Sequence, residues 1–130
     1  MNRLIKFLIA CVFVFTSGIL FAQNTIQEPA QSPTAQYRLF RTTNIWTFIK
    51  LDTMTGKIWQ VQYDLNGDNR GSVVLNSQDL ASGKTKTPGR FTLYPTSNIW
   101  TFILLDQIDG SMWQIQWSND IQNRLVLPID

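Results

Sequence analysis

From Ile45 to Tyr63 the chain alternates as extended strands do. Residues 45–51 and 58–63 are rich in Ile, Trp, Thr, Phe, Val and Tyr, the residues that suit a pleated, half-buried surface. Between them lies Asp52-Thr53-Met54-Thr55-Gly56-Lys57. Asp hydrogen-bonds the amides of its own turn, and Gly takes the positive φ that closes a hairpin loop. A hairpin with a four-residue loop pairs Lys50 with Trp59, Phe48 with Val61 and Trp46 with Tyr63 on one face. The other face pairs Leu51 with Ile58, Ile49 with Gln60 and Thr47 with Gln62. One face is then aromatic and the other mixed. A slip of one residue scrambles both, so the pattern selects this register.

The same pattern is written twice. Residues 37–76 align without a gap onto 91–130 at a fixed offset of 54, with sixteen of 40 pairs identical. Asn44-Ile45-Trp46-Thr47-Phe48-Ile49 recurs as Asn98-Ile99-Trp100-Thr101-Phe102-Ile103, and Trp59-Gln60-x-Gln62 recurs as Trp113-Gln114-x-Gln116. Asn69-Arg70 recurs as Asn123-Arg124. A fixed period means one supersecondary unit used twice. Weaker strand signals flank each hairpin, at Tyr37–Thr42 and Ser72–Leu75 and at their matches Phe91–Thr96 and Leu125–Leu127. The expected fold is all-β: two tandem four-stranded antiparallel, blade-like units within one domain, 37–130. They pack with pseudo-twofold symmetry, aromatic face on aromatic face, as a sandwich or flattened barrel. Residues 77–90 read as the linker between repeats 37–76 and 91–130.

The segment Leu51-Asp52-x-x-Thr55-Gly56-Lys57-x-Trp59 is similar to the hairpin of quinoprotein-type propeller repeats, although Trp59 comes one position early. Only about ten residues per copy share the likeness, so it implies no cofactor and no binding residue. The chain as a whole resembles small secreted proteins of unknown function from Bacteroides-type bacteria, which implies an origin and no activity.

The N-terminus changes the compartment and the charge. Asn2, Arg3 and Lys6 precede an apolar run from Phe7 to Phe21, and Ala22 stands before polar Gln23. This reads as a signal peptide over 1–22, too short and wrongly flanked for a membrane span, which predicts a secreted or periplasmic protein with no stable span after its removal. Leu8-Ile9-Ala10-Cys11 offers lipid anchoring at Cys11 as the alternative. Residues 23–36, polar and holding two prolines, read as a flexible tether. Removing Arg3 and Lys6 leaves nine basic residues against nine acidic. A neutral chain gives no long-range attraction for nucleic acid.

Candidate chemistry is sparse. The chain has no His and a single Cys, and no Ser or Thr stands in a recognisable pattern with Lys as base. Asp52 and Asp106 occupy equivalent positions and, brought together across a twofold axis, would make the carboxylate pair of a hydrolase; as hairpin residues they hold turns. Asp64-Leu65-Asn66-Gly67-Asp68-Asn69 resembles the start of a calcium loop, but Asn69 stands where a glycine belongs and Leu75 where a glutamate belongs. The reading is therefore no metal, no cofactor and no enzyme. All five tryptophans fall on the face assigned to the core. The mixed face carries Thr47, Gln60 and Gln62, and Thr101, Gln114 and Gln116 in the second copy, as candidate ligand-binding residues beside exposed aliphatics. The expected function is an exported, non-catalytic binding or interaction module for a glycan or a protein, with homo-oligomerisation open. The alternatives are a structural or assembly protein of the cell envelope and an aspartate-dependent hydrolase.

Overall fold

In a computed structural model of the chain, described over residues 27–130, eight strands follow in order. They are β1 (Tyr37–Arg41), β2 (Thr47–Asp52), β3 (Ile58–Gln62), β4 (Gly71–Asn76), β5 (Phe91–Pro95), β6 (Thr101–Asp106), β7 (Met112–Gln116) and β8 (Leu125–Ile129). A short 3-10 turn, Ile121–Asn123, precedes β8. The strands form two four-stranded antiparallel sheets, β1-β2-β3-β4 and β5-β6-β7-β8, packed as an open sandwich. The expected signal peptide and the lipidation site at Cys11 lie outside the described residues. Among those described, no helix is long and apolar enough to cross a membrane.

The central hairpins adopt the expected register. Thr47 faces Gln62, Phe48 faces Val61, Ile49 faces Gln60 and Lys50 faces Trp59; in the second unit Phe102 faces Ile115 and Leu104 faces Trp113. The loops close as their residues dictate. The Gly56 amide donates to the Asp52 carbonyl at 2.9 Å, with Gly56 at φ 76°, and Gly110 and Asp106 repeat the arrangement. β4 carries a bulge opposite Ile58/Trp59.

The faces in contact are not the expected pair. The first unit buries its mixed face: Thr47, Ile49, Leu51, Ile58 and Gln60 are sealed. The second buries its aromatic face: Phe91, Leu93, Phe102, Leu104, Ile115 and Trp117. The core is one cluster drawn from these unlike faces, so the units stack head to tail, and the packing of like faces about a twofold axis is corrected. The reason lies in residues where the copies differ. Arg41, Lys50 and Tyr63 stand on the first aromatic face where the second has Pro95, Leu104 and Trp117. A buried cation without a partner is costly, so the face holding Lys50 turns outward, where its ammonium lies over the Trp59 ring at 4.4 Å. The copy of that face sealed within the chain is the one that carries Leu104 in place of Lys50.

Bonds across the stack fix its alignment. The Ser118 amide donates to Gln60 Oε1 at 3.3 Å, and the Phe91 amide to the Thr53 carbonyl at 2.9 Å. The linker contributes packing as well as connection: Ala81 lies in the core with Leu80 against it. Gly89, at φ 86°, allows a close approach, because a Cβ there would strike the Pro33 carbonyl oxygen. Residues 28–36 run along β1. Arg41 pairs with Glu28 at 2.8 Å, Gln31 bonds both Leu39 and Arg38, and Thr53 binds the Ala35 and Gln36 carbonyls.

Candidate functional site

Three of the six expected ligand-binding residues come together: Thr47, Gln60 and Gln62 line one cleft between the units, although Thr47 and Gln60 are largely buried there, Gln60 only 4% exposed. Gln62 sits half-buried at the rim of the stack, while Thr101, Gln114 and Gln116 lie half-buried on the outer face of the second sheet. The assignment of every tryptophan to the core is likewise corrected. Trp117 is 1% exposed, but Trp46 is 37% and Trp100 39% exposed.

What the structure gathers instead is a recess at the end of each sheet, built on the repeated Asn-Ile-Trp-Thr turn. Asn44 Oδ1 accepts from the Trp46 amide at 2.8 Å, and Asn98 Oδ1 from the Trp100 amide at 2.9 Å. Thr42 and Thr96 hydroxyls donate to the Thr47 and Thr101 carbonyls at 2.8 and 3.0 Å. Asn and Thr side chains form such turns because their short polar groups reach nearby backbone. The turn holds an indole just beyond the start of β2 or β6. There it meets the residue after β3 or β7: Trp46 lies 5.3 Å from Tyr63, and Trp100 lies 4.6 Å from Trp117, ring centre to ring centre.

The first recess is lined by Trp46, Gln62, Tyr63, Asp64 and Asn69, with a volume of about 160 Å³. The second is lined by Trp100, Gln116, Trp117, Ser118 and Asn123, about 250 Å³. Every residue of one stands 54 positions from its counterpart in the other. A larger polar cleft of about 390 Å³ adjoins the first recess between the two units, walled by Asn44, Trp46, Gln60 and Gln62 from one and Asn119 and Arg124 from the other. Arg124 is fixed there by its Nε, which donates to the Ser118 carbonyl at 2.8 Å. Sequence reasoning placed the Trp residues in the core and gave Arg124 no place. The usable signal was the retention of Asn-Ile-Trp-Thr and Asn-Arg in both copies.

The carboxylates are structural. Asp52 Oδ1 accepts from the Met54 amide at 2.9 Å and Asp106 Oδ1 from the Ile108 amide at 2.9 Å, so each holds its own hairpin. Asp106 is also gripped by buried Arg90, Nε to Oδ2 at 2.9 Å, while Gln36 takes the matching place beside Asp52 at 3.5 Å. Asp64, the first residue of the calcium-like loop, accepts from the Asn66 and Asn69 amides and from the Asn69 side chain. Those amide donors, Asn66 first, hold its carboxyl below the usual range. Among the described residues no three His, Cys, Asp or Glu side chains gather as a metal site. Compared with family models, with curated proteins and with solved structures, the chain matches none.

Proposed function

We propose that the protein is an exported, non-catalytic carbohydrate-binding module that presents one recess twice. The observation that carries this reading is the repetition of an aromatic pair beside an amide and an Asn, at Trp46, Tyr63, Gln62 and Asn69 and again at Trp100, Trp117, Gln116 and Asn123. A sugar ring offers C–H groups on its faces and hydroxyls around its edge. An indole plane packs against the first, and side-chain amides, which donate and accept, bond the second. The neutral surface suits an uncharged glycan. Two equivalent sites on one chain raise avidity for a repeating polymer without any new contact.

The test is a glycan array followed by tryptophan-fluorescence titration with the best neutral oligosaccharide. Trp46→Ala and Trp100→Ala are each expected to weaken capture of a polymeric glycan at least about tenfold, and the double variant to abolish it, since such anchors carry about 2 kcal/mol or more. Gln62→Ala and Gln116→Ala, which leave the rings in place, are expected to act in the same direction with smaller effect. Capture unchanged in the double tryptophan variant, or an array without any neutral glycan bound, overturns the proposal. Binding of a peptide to the same recess would replace the ligand class while keeping the site.

A further inference from the structure

Among the described residues, head-to-tail stacking leaves two faces open, and each is a copy of a face the molecule already buries. The outer face of the first sheet, with Trp59, Val61, Tyr63 and Val74, is the repeat counterpart of the sealed aromatic face of the second. The outer face of the second sheet, with Tyr94, Ile103, Leu105, Met112 and Leu127, is the counterpart of the sealed mixed face of the first. Tyr63, Val74, Tyr94, Met112 and Leu127 are all exposed, a large apolar area to leave in water. We infer that a second copy of this chain covers these faces, the outer face of its first sheet seated on the outer face of the second sheet of its neighbour.

Two further features point to the same occupant. Gln60 accepts from the Ser118 amide across the internal stack; the same geometry between copies brings Gln114 to Asp64 of the neighbour. Arg124 reaches from the second unit into the cleft walled by Trp46, Gln60 and Gln62. Its counterpart Arg70 stands at the equivalent place on the first unit, where a neighbouring copy supplies a wall at Trp100, Gln114 and Gln116. Each junction between copies therefore completes a second inter-unit cleft. Contacts of this kind are heterologous, and they close into a ring when the rotation per unit allows. Radial repetition of four-stranded sheets closes at about four to eight sheets, hence about two to four chains. Residues 28–35 lie at the β1 side of the first sheet's outer face, where they line a recess with Tyr37, Leu39, Arg41 and Phe48. Trp100 stays 39% exposed although the sealed face lies beside it, so its counterpart Trp46 keeps an open indole when Tyr63 is covered; oligomeric mass and glycan capture are separate readouts, so either proposal can fail without the other.

Lys50 sets the strength. It lies on the open aromatic face where the sealed copy has Leu104, so association between copies is weaker than the internal stack and depends on concentration. The experiment is light scattering of the full chain as exported by its host cell, its N-terminus checked by mass spectrometry. The expected mass is two to four chains at high concentration, with dissociation on dilution; Lys50→Leu is expected to shift the midpoint at least about tenfold toward lower concentration. Val61→Glu and Ile103→Glu, each checked for fold by circular dichroism, are each expected to give single chains. Mixed together they are expected to form a 1:1 dimer and nothing larger, because each retains the face the other lacks. Gln114→Cys and Asp64→Cys chains, mixed and oxidised, are expected to yield the mixed disulfide dimer, a readout that leaves the apolar residues of both faces in place. A single chain at millimolar concentration in both the native and Lys50→Leu forms overturns the inference. So does association of either Glu variant with itself, which would mean that like faces meet.

Discussion

The two repeats share sixteen positions and a register, yet they treat their faces in opposite ways. Phe48 is half-buried where Phe102 is sealed; Ile49 is sealed where Ile103 is half-buried. The identical residue at an equivalent place in an equivalent strand thus contributes differently according to which side its neighbour occupies. Alternation tells which residues share a face. It leaves open which face meets the core when both are apolar. In this molecule a few substitutions of charge for aliphatic, Lys50 against Leu104 above all, settle the matter.

The contrast is sharpest in the buried ion pair. Arg90 and Asp106, 4% and 0% exposed, bond at 2.8 Å through Nη2 and Oδ2, and Arg90 Nη1 donates to the Thr85 carbonyl. In the first unit Gln36 occupies the place of Arg90 and makes one long bond. Arg90→Met strands a buried carboxylate and is expected to cost about 3–5 kcal/mol, whereas Gln36→Met is expected to cost about 1 kcal/mol or less. Urea denaturation of the two variants measures the difference, and equal costs would dissolve the distinction between the units.

Alanine scanning of the paired core positions comes next. Phe102→Ala is expected to lose about 3–5 kcal/mol and Ile49→Ala about 2–5 kcal/mol. Phe48→Ala and Ile103→Ala, measured on dilute single chains, are expected to lose less than half as much as their sealed counterparts. The pattern must cross: the aromatic position matters more in the second unit, the aliphatic position in the first. Losses that run parallel in both units would restore like-on-like packing.

A smaller effect separates the glutamines. Gln60→Ala removes the acceptor of the Ser118 amide between the sheets and is expected to cost about 1–3 kcal/mol; Gln114→Ala, on the outer face, is expected to stay within about 0.5 kcal/mol in the same assay. If Gln114→Ala costs as much in dilute single chains, its outward placement is wrong.

The smallest expected effect is on acid stability. Asp64, Asp79 and Asp109 all have carboxyls held below their ordinary 3.8, by the Asn66 amide, the Lys86 ammonium and the Lys84 ammonium respectively. A depressed folded-state value means that their contribution is complete above the ordinary value and fades as pH falls through the folded one. Urea midpoints are therefore expected to be flat above about pH 5 and to decline below about pH 4. Asp64→Ser, which copies Ser118 of the second unit, is expected to make that decline shallower. An unchanged acid limb would mean that the loop amides do not favour the carboxylate.

Much of this architecture is legible in the residues. The two hairpins, their loops at Asp52–Lys57 and Asp106–Ser111, and the pairing of Phe48 with Val61 follow from alternation, turn chemistry and the fixed offset, all of which are local. The site was less legible. Trp46 and Trp100 look like core residues because an indole in an apolar strand pattern usually is one. The Asn turn that lifts each of them beyond the strand end is visible only as a retained Asn-Ile-Trp-Thr string. Arg124 could not be placed, since its role in the cleft depends on a residue from the other unit being opposite.

What the amino-acid order determined by itself was each sheet: strand positions, register, and the division of side chains between two faces. These follow from interactions among residues close in sequence, or joined by a four-residue loop, and need no knowledge of the partner sheet. Only the tertiary structure decided which face of each sheet is sealed, and hence that the units stack head to tail with two matching faces left open. That choice is a difference between two burials of similar apolar area, tipped by the cost of desolvating Lys50 and Arg41, and such a difference is defined only once both sheets are in place.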